Sequence, residues 1–206
     1  MPKKKTDSGA YFALKEELKA GTIRKAYLFY GEERYLLESI LQFLKKKLIA
    51  PGTEEFNYKT LDGKQLDLKD LSEAVDQLPV FAERTMIVVT DYDIFKSAEE
   101  QRQTLLNLLR DLPDYVCLVF VYDILSFSAD RRVKLNAAIL DSVTAVEFCP
   151  QEQNTLIGWI ARQFRDAGGK KIRKDDAEYL LFITGGLMTQ MSTEIEKVAA
   201  HSRGEA

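Results

Sequence analysis

Apolar residues change their spacing along the chain in a regular way. Ala26-Tyr27-Leu28-Phe29-Tyr30, Met86-Ile87-Val88-Val89 and the run Val116 to Tyr122 are continuous apolar stretches too short for helices, the pattern of strands buried on both faces. Between them the spacing is helical. Tyr11, Leu14 and Leu18 mark a short helix stopped by Gly21, and Leu36, Leu37, Ile40, Leu41, Leu44 and Leu48 share one face of a longer one. Leu66 to Leu78 predicts a further helix. Leu105, Leu108, Leu109 and Leu112 mark another around Thr104 to Asp111, and Val133, Ala137 and Leu140 one more. Two segments mix polar and apolar residues. Phe56 to Leu61 alternates, with Phe56, Tyr58 and Thr60 on one side and Asn57 and Lys59 on the other, and Glu147 interrupts Thr144 to Phe148. Strands separated by helices in this order call for an α/β fold: a five-stranded parallel sheet with helices on both faces. The three continuous runs belong at its centre, and 56–61 and 144–148 at its two edges.

After Pro150 the strands stop. Leu156, Ile157, Ile160 and Phe164 describe a helix ended by Gly168-Gly169. Asp175 or Asp176 caps a second through Tyr179, Leu180 and Ile183, ended by Gly185-Gly186. Met188, Met191, Ile195 and Val198 mark a third. The expected organisation is an α/β domain over 1–150 and a three-helix domain over 151–206. Residues 1–9 are polar and lysine-rich and read as a frayed tail.

Composition narrows the chemistry. With 46% hydrophobic and 30% charged residues the chain has material for a real core, and 29 Lys and Arg against 32 Asp and Glu leave a net charge of −3. Any grip on DNA is therefore local or supplied by partners. No apolar run approaches the roughly 20 residues that span a bilayer, and no secretion signal opens the chain; a cytoplasmic protein is expected. One histidine, His201, and two cysteines, Cys117 and Cys149, disfavour triad catalysis and rule out four-cysteine zinc sites. The cysteines read as buried reduced thiols.

A sheet of this kind followed by helices invites a nucleotide, held by the turn after the first strand. That turn reads Gly31-Glu32-Glu33-Arg34-Tyr35-Leu36-Leu37. It has one glycine, no Gly-Lys-Ser/Thr, and two carboxylates where phosphate charge would sit, with Arg34 as the single candidate cation. Ile87-Val88-Val89-Thr90-Asp91 superficially resembles a magnesium-binding strand, but an Asp at a strand end is commonly a turn former. No catalytic, cofactor-binding or metal-binding residue is assigned.

The more unusual segment is Leu78-Pro79-Val80-Phe81-Ala82-Glu83-Arg84. Pro79 ends the preceding helix, and two adjacent large apolar side chains on a short connection point in different directions. Either Phe81 tucks beneath the helix as an anchor, or Val80 and Phe81 form an exposed wedge for a partner's apolar pocket. Lys170, Lys171, Arg173 and Lys174 cluster beside Gly168-Gly169, either as a solvated loop or as a contact to DNA phosphates. Arg131-Arg132 admits the same two readings.

Three stretches together resemble a known family. They are Ala26 to Glu33 with Tyr35-Leu36-Leu37-Glu38, then Leu78-Pro79-Val80-Phe81 with Arg84 and the strand Met86 to Val89, then Gly185-Gly186 with Thr193 to Val198. In these the chain resembles the delta subunit of bacterial DNA polymerase III, a clamp-loader subunit. The resemblance implies an AAA+-like sheet in the order 5-1-4-3-2 with a three-helix lid, no working ATP site, and no cofactor. It implies that Leu78, Pro79, Val80 and Phe81 bind the sliding clamp (the beta subunit) and open the ring for loading on primed DNA. Leu-Phe or Phe-Phe pairs are usual at this tip, and Val80 is a smaller first member. Other clamp-loader subunits and primed DNA are the further partners implied, with no membrane. A C-terminal collar domain usual in the family has no counterpart here, so a fragment is expected. The alternative is an active or degenerate P-loop ATPase of the same fold.

Overall fold

The computed structural model describes residues 9–201. The lysine-rich stretch 1–8 lies outside the described residues, whereas Gly9, expected in the tail, opens the first helix. The described chain forms two compact units, one of 9–31 and 39–147, the other of 32–38 and 148–201.

The larger unit alternates helix and strand. α1 (Gly9–Lys19), β1 (Ala26–Gly31), α2 (Arg34–Leu48), α3 (Glu54–Asn57), β2 (Tyr58–Asp62) and α4 (Leu68–Asp76) come first. β3 (Thr85–Thr90), α5 (Glu99–Arg110), β4 (Val116–Val121), α6 (Lys134–Asp141) and β5 (Thr144–Phe148) complete it. α2 begins, and β5 ends, within the segments assigned to the smaller unit. The five strands lie in the order β2-β3-β4-β1-β5. β1 runs parallel to β4, and β3 runs parallel to both β2 and β4.

The three continuous apolar runs are the inner strands, and the two mixed segments are the edges. Leu28, Ile87, Val89, Leu118 and Phe120 enter one apolar cluster with Leu71 and Val75 of α4, Leu105 and Leu109 of α5, and Ile139 and Leu140 of α6. Tyr27, Phe29, Met86, Val88, Cys117 and Val119, of opposite parity, are buried as well. Both faces of the sheet centre are therefore covered, which is why those strands carry no polar alternation.

The clearest boundary differences from the sequence reading concern β2, α4 and α5. The first edge strand starts at Tyr58, because Phe56 and Asn57 belong to the single turn of α3, where the Asn57 amide donates to Thr53 O at 3.0 Å. The helix expected over 66–78 covers only 68–76. Asp67 caps its start by accepting from the Lys69 amide, and Gln77 is already extended ahead of Leu78 and Pro79. The helix read around 104–111 begins earlier, at Glu99.

The smaller unit holds α7 (Gln153–Asp166), α8 (Lys174–Thr184) and α9 (Met188–His201). Asp175 and Asp176 lie inside the first turn of α8 rather than at its cap, which is Arg173. Its buried residues are Ala177, Leu180 and Thr184, while Tyr179 and Ile183 are exposed and Phe182 is 83% exposed. On α9 the fourth core position is Ala199, and Val198 is turned outward. Gly185, at φ 76°, closes α8 in the left-handed region. No helix among the described residues is long and apolar enough to cross a membrane.

Gly63, just past β2, is required by close packing. Its amide donates to Thr90 O at 2.7 Å, and a Cβ there would lie 2.2 Å from Tyr92 N. That contact is with backbone, which cannot swing aside. Gly63→Ala is expected to lower stability by about 1–3 kcal/mol, as overpacked sites do, measured by thermal or denaturant unfolding.

Candidate functional site

The segment between α4 and β3 exposes its apolar side chains while its backbone is tied down. Phe81 is 92% exposed and Leu78 71% exposed; Val80 is exposed and Pro79 half-buried. Of the two placements open for Phe81, the structure has the outward one. The ties come from three places. At the start, Lys59 Nζ donates to Gln77 Oε1. In the middle, the Val80 amide donates to Asn57 Oδ1 and Asn57 Nδ2 donates to Val80 O, both at 2.8 Å. At the end, Arg84 donates through Nε and Nη2 to Asp114 O at 3.1 and 3.0 Å, while Lys25 pairs with the Asp114 carboxylate at 2.5 Å. That pairing holds the Asp114 carboxyl below its usual range.

Phe81 itself sits at φ 51°. The left-handed region brings Cβ against the following carbonyl and is unfavourable by about 1–2 kcal/mol for an L-residue. A net hydrogen bond contributes about 0.5–1.5 kcal/mol, so the two bonds from Asn57 to the adjoining residue are of the size that offsets this strain. Asn57 is 1% exposed. Reading the segment as alternating placed Asn57 on the polar side with Lys59, and the sequence reading therefore passed over it. The available signal was an amide residue directly before Tyr58, at a strand start close to a Pro-containing loop.

The turn after β1 is held by contacts of Glu33 and Tyr35. Within the smaller unit, Glu33 is fully buried, and its Oε2 accepts from the amide of Met188, the first residue of α9, at 3.2 Å. Its backbone amide donates to Phe148 O at 3.0 Å. Oε1 has no hydrogen-bond partner among the described residues. Burial pushes the Glu33 carboxyl up from its usual value, and the amides of Met188 and Tyr35 pull it back only in part. Tyr35, the second residue of α2, packs edge-on against Trp159 with ring centroids 5.0 Å apart.

The remaining candidates are structural. Asp91 is buried at φ 57°, and its Oδ1 accepts from the amides of Asp123, Ile124 and Leu125 at 2.8, 2.9 and 3.2 Å. Its carboxylate therefore organises the loop after β4. Among the described residues no group of three His, Cys, Asp or Glu is placed to hold a metal ion. Cys117 and Cys149 are buried and form no disulfide among the described residues, and burial pushes the Cys117 thiol up to about 12, so it is no nucleophile.

In the basic cluster, Lys170 Nζ donates to Ala199 O, Arg173 pairs with Asp176 at 2.7 Å, and Lys174 pairs with Glu178 at 3.5 Å. Arg131 and Arg132 pair with Asp141 and Asp130 at 3.6 and 2.8 Å. Leu78 to Phe81 belong to the larger unit and 170–174 to the smaller.

A parallel sheet in the order 5-1-4-3-2, with an acidic turn after its first strand and three helices following, defines an AAA+-like module without the family's usual phosphate loop. A sequence model described as DNA polymerase III, delta subunit, matches residues 27–148. The match covers more than half of the chain, and the chain belongs to that family.

The chain is 23% identical over 195 residues to DNA polymerase III subunit delta of Bacillus subtilis (strain 168), covering 91% of this chain and 55% of that protein. It is 21% identical over 181 residues to a probable DNA polymerase III subunit delta of Aquifex aeolicus, covering 84% and 49%. It thus spans about half the length of these relatives. Among solved structures, a Bacillus subtilis DNA clamp loader delta protein superposes with a TM-score of 0.67 at 21% identity, over 95% of this chain and 59% of that one. The Thermotoga maritima RuvB Holliday junction branch migration motor superposes with a TM-score of 0.55 at 14% identity, over 97% and 62%. At these identities the solved structures speak for the fold alone.

Two outcomes follow from this geometry. Phe81→Gly is expected to be more stable than Phe81→Ala by about 0.5–1 kcal/mol in denaturant unfolding, since glycine escapes the left-handed penalty and gives back part of it as unfolded-state entropy. Glu33 has a carboxyl raised in the fold, so its contribution is fully present below the usual value of 4.5 and is lost as pH rises through the raised one. Glu33→Gln, neutral throughout, should therefore match the parent at low pH and gain on it toward pH 7, read from unfolding curves across that range.

Proposed function

We propose that this chain is the clamp-binding part of a replication clamp loader, and that Leu78, Pro79, Val80 and Phe81 form the tip that enters an apolar pocket on the sliding clamp, the beta subunit. The observation that carries this reading is a large aromatic side chain 92% exposed on a segment whose backbone is held at three points. An apolar residue left in water on a tethered loop is a ready anchor: burying it in a partner gains about 1.5–3 kcal/mol, and little ordering entropy remains to be lost. Membership of the delta family supports the same assignment.

The chemistry is binding. A closed ring exchanges with rare open forms, and a ligand opens it only by binding the open form better. Phe81 supplies the anchor, and the surface of α4 ahead of it favours the distorted ring interface. ATP hydrolysis belongs to other loader subunits, which expose or withdraw the tip. The absence of a Gly-Lys-Ser/Thr sequence and the buried Glu33 in the turn after β1 argue for a subunit without ATPase chemistry of its own. The first 150 residues make up the sheet domain, and the helices beyond form the lid of the AAA+-like pair. Primed DNA is met in the assembled loader in the cytoplasm. Of the cluster Lys170, Lys171, Arg173 and Lys174, Arg173 and Lys174 are ion-paired and Lys170 donates to a backbone carbonyl, so Lys171 is the first candidate for phosphate contact.

Phe81→Ala is expected to weaken binding to the sliding clamp of the same organism by about tenfold or more, since 1.4 kcal/mol is a factor of ten. Surface plasmon resonance with nucleotide-free protein measures it, with matched thermal unfolding as control. Unchanged affinity would overturn the assignment of the tip.

A further inference from the structure

We infer that Asn57 is the positioning residue of the tip, a buried amide that sets the plane of the Val80–Phe81 peptide and so aims the Phe81 ring outward. This rests on the reading of Phe81 as clamp anchor. Asn57 lies at the end of α3, 1% exposed, and exchanges two hydrogen bonds of 2.8 Å with the backbone of Val80. The carboxamide thus stands in for a strand: it offers the donor and acceptor that a neighbouring peptide would present, at a place where β2 has not yet begun. Val80 O belongs to the peptide whose nitrogen is that of Phe81, so anchoring this carbonyl restricts rotation about the Phe81 φ. That angle is 51°, a value phenylalanine does not hold without outside support. Released from Asn57, the peptide relaxes to negative φ and the ring loses its fixed direction.

The requirement on position 57 is chemical. Asn carries one acceptor and two N–H donors on a single planar group. Aspartate would keep the bond from the Val80 amide but set a charged oxygen against Val80 O. Leucine fills a similar volume and makes neither bond. Loss of either bond frees the peptide plane, whereas an effect that came only from the general stability of the fold would not depend on the ring at 81.

The test is a double-mutant cycle read by clamp affinity, together with amide hydrogen exchange on the free chain. Asn57→Asp and Asn57→Leu are each expected to lower clamp affinity about tenfold in the parent. In the Phe81→Ala background they should change it less than twofold, since there is no ring left to aim. The Val80 amide should exchange at least tenfold faster in both variants, while Val88 and Val119 in the sheet stay protected. Parent-like affinity of the Asn57 variants alongside a weakened Phe81→Ala overturns the positioning role, and so does an equal loss in both backgrounds. If Phe81→Ala binds as the parent does, the clamp reading fails, and exchange at Val80 alone decides what Asn57 does. If the Asn57 variants do not fold, the parent decides: a Val80 amide that exchanges as fast as that of exposed Glu83 overturns the inference.

Discussion

The pairing register of β2 against β3 is the constraint on which the rest depends. β3 is buried along nearly its whole length and pairs on both sides, with Tyr58 opposite Met86 and Thr85 opposite Val116. A slip of one residue would turn every side chain of β2 to the other face. Because β3 cannot move, the residue just before β2 is delivered to the residues just before β3. That is how Asn57 reaches Val80 and how Lys59 reaches Gln77. At the other end of the same two strands, Gly63 lies against Tyr92, and Asp91 gathers the loop after β4. One burial event therefore orders both rims of the sheet.

The first-strand turn shows the opposite economy. A phosphate loop leaves backbone amides open for an anion that arrives from solution. Here the chain uses a side chain of its own: the Glu33 carboxyl accepts from the amide at the start of α9. This contact carries a cost of its own, since one carboxyl oxygen is buried without a partner among the described residues and burial raises the pKa of the group.

Surface chemistry is divided in the same spirit. Four of the six cations singled out by clustering are paired with acids, as Arg173 is with Asp176 and Arg132 with Asp130. These pairs are exposed and contribute little stability, but they lower the local positive field. The apolar residues that stay outside are therefore the more distinctive surface: Phe81 and Leu78 between α4 and β3, and Phe182 with Tyr179 along α8.

The sequence by itself determined the alternation of elements, the three inner strands, both edges and the absence of a phosphate loop. Those features are written in period and composition, which depend on residues a few positions apart. It also singled out Leu78 to Phe81 as unusual, because Pro79 and two adjacent apolar side chains conflict locally. It left open which way Phe81 faces, misplaced Asn57, Tyr179 and Ile183 with respect to the core, and began β2 two residues early. Those outcomes belonged to tertiary structure alone. The partner of Val80 lies 23 residues back along the chain, and that of Glu33 lies 155 residues ahead. No local period encodes a contact of that separation, so burial and direction at these positions were decided only when the strands and helices had packed.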